Sequence, residues 1–75
     1  MSNYKLDVCG NLELMDYSNI YDYMGIVDTR DDLTLELNDV NEDSFNMICT
    51  MLREQNFNVY YEKKGTGKWS IKAVK

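Results

Sequence analysis

The sequence predicts an α/β domain of the α+β kind, a two-layer sandwich with the order β-α-β-α-β-β. Its four-stranded mixed sheet would carry two helices on one face. Three observations predict it. Asp39–Phe57 reads as one amphipathic helix with both ends marked, period-two strands flank that helix, and a glycine-bearing hairpin closes the chain. With 75 residues the chain is a single domain, residues 1–75, near the size at which one core is only just sufficient.

Tyr4–Cys9 is the first strand, with Tyr4, Leu6 and Val8 on one face and Lys5, Asp7 and Cys9 on the other. Gly10-Asn11 breaks it. The apolar positions Tyr17, Ile20, Tyr21, Met24 and Val27 then trace a helical stripe, which predicts a helix from Glu13 or Asp16 to Ile26. A competing reading makes Gly10-Asn11 a hairpin, with Leu12 and Leu14 on a short second strand before a shorter helix. The charged link Asp28-Thr29-Arg30-Asp31-Asp32 leads into a strand on which Leu33, Leu35 and Leu37 alternate with Thr34, Glu36 and Asn38.

In the central helix Phe45, Ile48, Cys49 and Leu52 fall at i, i+3, i+4 and i+7, the spacing that puts four apolar side chains on one face. Met47 and Met51 widen the stripe. With Asn41 as the cap, Val40 and Phe45 form a hydrophobic staple; with Asp39 as the cap, Glu42 completes a capping box. Asn56 suits the left-handed position that ends a helix, and Phe57 the hydrophobe that packs back on it. Strands at Phe57–Lys63 and Trp69–Val74 flank the loop Lys64-Gly65-Thr66-Gly67-Lys68, with Trp69, Ile71 and Ala73 facing inward. The leucine strand, the helix and the strand after it form a βαβ unit whose two strands run parallel.

Composition narrows the function. The chain has no histidine, which removes the commonest general base, the usual metal ligand and every Ser-His or Cys-His nucleophile. No cofactor or metal frame is visible. Two cysteines, Cys9 and Cys49, are too few for a disulfide framework and fit reduced thiols in cytosol. No apolar run is long enough to cross a bilayer, and Met1-Ser2-Asn3-Tyr4-Lys5 lacks a signal-peptide pattern, so a cytoplasmic, non-membrane protein is expected. Residues 1–62 hold thirteen acids against Lys5, Arg30 and Arg53, a balance of −10, whereas residues 63–75 hold five lysines and no acid. An acidic body with a basic terminal hairpin suits a protein partner better than duplex nucleic acid.

In element order and spacing the chain resembles the TusA/SirA-like sulfur-carrier proteins. That family's first strand runs into Leu-Asp-x-x-Gly-x-x-Cys-Pro-x-Pro, and Leu6-Asp7-Val8-Cys9-Gly10 matches its first part. The family's Pro-Gly-acid turn before the second strand falls on Thr29-Arg30-Asp31. The resemblance spans nearly the whole chain and implies the two-layer fold. It does not carry the chemistry. The cysteine that bears persulfide sulfur falls on Glu13, and the two prolines fall on Leu14 and Asp16. A carboxylate can neither take nor pass sulfane sulfur.

Among candidate residues, Cys9 lies near the start of the first helix, where a dipole could stabilise a thiolate; the plainer reading is a small, half-buried residue at a strand end. Cys49 belongs to the core stripe. Gly65-Thr66-Gly67-Lys68 lacks the spacing of a phosphate loop and reads as a hairpin tip. Asp28, Asp31 and Asp32, like Asp39, Glu42 and Asp43, lack the frame of a calcium loop and read as caps and turns. The partner-binding candidates are Tyr17, Tyr21 and Tyr23 on the first helix, and Glu36, Tyr60 and Lys72 on the open sheet face with Thr34 and Ser70.

Three functions follow as expectations. The first is a non-catalytic protein-binding domain that has lost the sulfur-carrying cysteine. The second is a degenerate sulfur carrier using Cys9. The third is a small acidic inhibitor of the phage-encoded type that mimics nucleic acid, which the basic hairpin weighs against. An open sheet allows either a monomer or an edge-paired dimer.

Overall fold

Alternation and helical spacing are realised almost as written. The computed structural model describes residues 2–10 and 12–75. Its elements are β1 (Asn3–Cys9), α1 (Leu14–Ile26), β2 (Asp32–Asn38), α2 (Glu42–Glu54), β3 (Asn58–Gly65) and β4 (Lys68–Val74). The sheet order is β1-β2-β4-β3. β1 and β2 are parallel, joined through α1, and β4 runs antiparallel to both β2 and β3. The βαβ expectation therefore holds for direction: β2 and β3 point the same way, with β4 inserted between them.

One face of the sheet is buried and one is open. Leu33, Leu35 and Leu37 of β2 and Trp69, Ile71 and Ala73 of β4 are almost wholly buried, together with Phe45, Ile48, Cys49 and Leu52 of α2. Each large aliphatic side chain removed from water in this way contributes about 1.5–3 kcal/mol. The aromatic end of the core is ordered by the Phe45 ring, which stacks on Trp69 at 4.6 Å and meets Tyr61 edge-on at 5.0 Å.

α2 is held at both ends. The Asn41 side chain accepts the Ser44 backbone N–H at 2.8 Å, so Asn41 rather than Asp39 is the cap. Val40 and Phe45, the two staple positions, are both buried. Asp39 instead takes a left-handed backbone, φ 56°, and turns the chain from β2 towards the cap. At the far end Asn56 is left-handed, φ 68°; its N–H donates to the Arg53 carbonyl at 3.1 Å and the Phe57 N–H to that of Leu52 at 3.0 Å. That pair of bonds is the Schellman arrangement, and Phe57 is buried with Leu52. Met47 departs from the expectation. It is 52% exposed, because the groove between the sheet and α2 is already filled by the Phe45, Ile48, Cys49 and Leu52 stripe.

α1 differs more from its reading. The first helical residue is Leu14, with Glu13 as the cap, so Leu14 is not on a second strand. The hairpin alternative also involved Asn11, which lies outside the described residues. Of the expected stripe, Ile20, Met24 and Val27 are buried, Tyr17 is half-buried and Tyr21 is 53% exposed. The final hairpin is tighter than expected. β3 runs on to Gly65, and a two-residue turn, Thr66-Gly67, joins it to β4. The Val40 N–H donates to the Gly67 carbonyl at 3.1 Å, so this turn docks on the link between β2 and α2. A Cβ on Gly67, φ 70°, would lie 3.4 Å from the Asp39 Cα and the Val40 carbonyl oxygen.

Candidate functional site

The two helices leave a shallow groove between them on the side away from the sheet. Its volume is about 320 Å³, and Tyr17, Ser18, Tyr21, Asp22 and Met51 line it. Tyr17 and Tyr21 are one turn apart on α1, so their rings share a face. The Tyr17 hydroxyl donates to the Ser44 hydroxyl at 3.0 Å, tying the first turn of α2 to α1 at the head of the groove. Leu14, one turn before Tyr17, is 83% exposed, and Met47 lies one turn before Met51 on α2. An apolar strip thus continues the groove along both helices. Its surroundings are acidic: α1 has Asp16 and Asp22 and no base, and α2 has Glu42, Asp43 and Glu54 against Arg53.

The six partner-binding candidates do not form one site. Tyr17 and Tyr21 meet in the groove. Tyr23, nearly half a turn round the helix from Tyr21, packs against the core instead. Glu36, Tyr60 and Lys72 all face outward from the open side of the sheet, as expected. There Tyr60 pairs with Lys72 across β3 and β4, and Lys72 with Thr34 across β4 and β2. Glu36 accepts the Ser70 hydroxyl at 3.0 Å, and Lys72 Nζ lies 3.6 Å from the Asp32 carboxylate. A second hollow of about 260 Å³, lined by Tyr60, Tyr61, Glu62, Ser70 and Lys72, runs along β3. Ser70, Lys72 and Glu62 there are each engaged by a neighbour outside the hollow, Glu36, Asp32 and Lys64.

Cys9 ends β1 on the open face and is exposed, not half-buried, because among the described residues no further strand or helix lies over that corner. Cys49 is buried on α2. Burial pushes its thiol above the ordinary value, with the Arg53 charge pulling weakly the other way. Glu13, where the carrier cysteine of the TusA/SirA-like proteins would stand, is the cap of α1, and its backbone N–H donates to the Asp16 carboxylate at 2.9 Å. The acidic link before β2 is occupied by its own turn. Asp31 accepts the Ser2 N–H at 2.7 Å and the Asp28 N–H at 3.1 Å, while Asp28 accepts the Thr29 N–H at 2.7 Å.

Exposed Leu14 and Met47 were missed by sequence reasoning as parts of a surface. The signal available was surplus: two helices carry more apolar residues than one sheet face can cover. No helix of the described residues is long and apolar enough to cross a membrane. No family model matches the chain, and neither a curated protein nor a solved structure is found to match it.

Proposed function

We propose that this chain is a non-catalytic protein-binding domain with a TusA/SirA-like fold, one in which the sulfur-carrying cysteine has been replaced. Its binding surface is the groove between α1 and α2, and its partner is a protein segment that brings an apolar side chain flanked by lysine or arginine. The observation that carries this reading is the exposed strip of Tyr21, Leu14 and Met47 beside the groove, set in helices that hold five acids and one base. Aromatic and methionine side chains are the ones enriched where protein surfaces meet, and the acids around them would steer a basic partner. Glu13 in place of that cysteine supports the loss of carrier chemistry, since a carboxylate neither takes nor passes sulfane sulfur.

A photo-crosslinking amino acid placed at Tyr21, and separately at Tyr60, tests the surface in the cell that makes the protein. A discrete adduct from the Tyr21 position that disappears on Asp22→Lys is the expected result. Adducts from Tyr60 alone, or equally from both, would place the surface elsewhere.

Exposure of Cys9 favours a second reading, sulfur transfer through that thiol. Incubation with a cysteine desulfurase and its substrate distinguishes the two. Under the preferred reading no sulfane sulfur is found on Cys9; a persulfide present in the native chain and lost in Cys9→Ser would establish the carrier.

A further inference from the structure

We infer that β1 is a self-pairing edge: β1 of one chain aligns antiparallel with β1 of a second copy, about a twofold axis through Leu6, to join two four-stranded sheets into one. The inference is independent of the helix groove.

β1 is the outer strand of the sheet, seven residues long, paired with β2 in an unbroken register from Asn3 to Cys9. Its other side therefore offers a row of backbone donors and acceptors to a further strand. The segment Tyr4-Lys5-Leu6-Asp7-Val8 reads apolar, cation, apolar, anion, apolar. Directly opposed residues of an antiparallel pair lie on the same sheet face. An axis through Leu6 sets Lys5 opposite Asp7 of the second copy, and Asp7 opposite its Lys5, on the open face. On the helix face it sets Leu6 on Leu6 and Tyr4 on Val8. Tyr4 and Leu6 are only half-buried within one chain, so the pairing covers apolar surface that β2 and α1 leave open.

Charge selects this register over its neighbours. Moving the axis by one residue sets Lys5 against Lys5 or Asp7 against Asp7, and like charges directly opposite are destabilising. The other edge is built differently. β3 has a register break between Lys63 and Gly65, its Glu62 is already paired with Lys64 at 3.4 Å, and the axis that opposes Glu62 to Lys64 also sets Lys63 on Lys63. Such lysines and irregularities are how an edge is kept from pairing.

The experiment is sedimentation of the full chain over a concentration series, with Lys5→Asp and Asp7→Lys. Both residues are exposed, so both variants keep the fold, which circular dichroism verifies. The native chain is expected to dimerise, and each single variant to raise the dissociation constant by about tenfold or more. An equimolar mixture of the two variants should form a heterodimer, and the double variant Lys5→Asp/Asp7→Lys should recover the homodimer. A native chain that stays monomeric up to millimolar concentration would overturn the inference. So would single variants that dimerise like the native chain, or a mixture that fails to associate.

Discussion

α1 and α2 have 13 residues each and pack on the same sheet face, yet they do different work. α2 buries Ser44, Phe45, Ile48, Cys49 and Leu52, has a side-chain cap at its start and a left-handed close at its end. α1 buries only Ile20 and Met24, lacks a basic residue in its last turn and exposes Leu14, Met15, Tyr21 and Ile26. The difference shows where the chain has apolar surface to spare. In a domain this small a side chain left out of the core forgoes stabilisation that is scarce, and the apolar surface collected on α1 is what the proposed partner would cover.

Substitutions should separate the two helices by size of effect. Leu52→Ala or Ile48→Ala opens a cavity under α2 and is expected to destabilise the fold by about 2–5 kcal/mol in urea unfolding. Loss of either end of α2 comes next. Asn56→Ala removes the short polar side chain that makes the left-handed conformation tolerable, at up to about 1–2 kcal/mol, and Asn41→Ala removes the cap at about 1 kcal/mol. Tyr17→Phe deletes the hydroxyl that donates to Ser44 and should cost about 0.5–1.5 kcal/mol, the measure of how firmly α1 is tied to α2. Leu14→Ser, on the exposed strip, should change stability by no more than about 0.5 kcal/mol while weakening the partner crosslink formed from position 21.

The smallest difference is a pH effect. Because burial raises the Cys49 thiol above its ordinary value of 9.0, the unfolded chain ionises there before the folded one does. The folded state therefore loses stability as pH rises from that value through the raised one, and is unaffected by this group below it. Cys49→Ala should show a flatter alkaline limb than the native chain in parallel unfolding curves.

Much of this fold was legible. The alternation of Leu33, Leu35 and Leu37, the Phe45-to-Leu52 stripe, the Asn41 cap and the Asn56 close are all local patterns, and each is found where it was read. Local pattern does not fix which strands are neighbours. The insertion of β4 between β2 and β3 follows from how long-range pairs cover the leucine face, a matter of tertiary packing. Tyr21 and Met47 illustrate the same limit on a helix. Both continue an apolar stripe in sequence, but the sheet beneath is wide enough for only part of it, and they point to solvent. The groove between the helices could not be seen for that reason, although the tyrosines on its α1 side could.

Native-state amide hydrogen exchange, resolved by residue, tests the division of labour between the helices most directly. α2 amides from Ile48 to Leu52 should exchange only through global unfolding, with an opening free energy equal to that from urea. Amides in the first two turns of α1 should open locally, at a clearly lower free energy, and slow when a partner is bound. Equal protection across α1 and α2 would contradict the account, for it would mean that α1 is as much a part of the core as α2 and has no surface to lend.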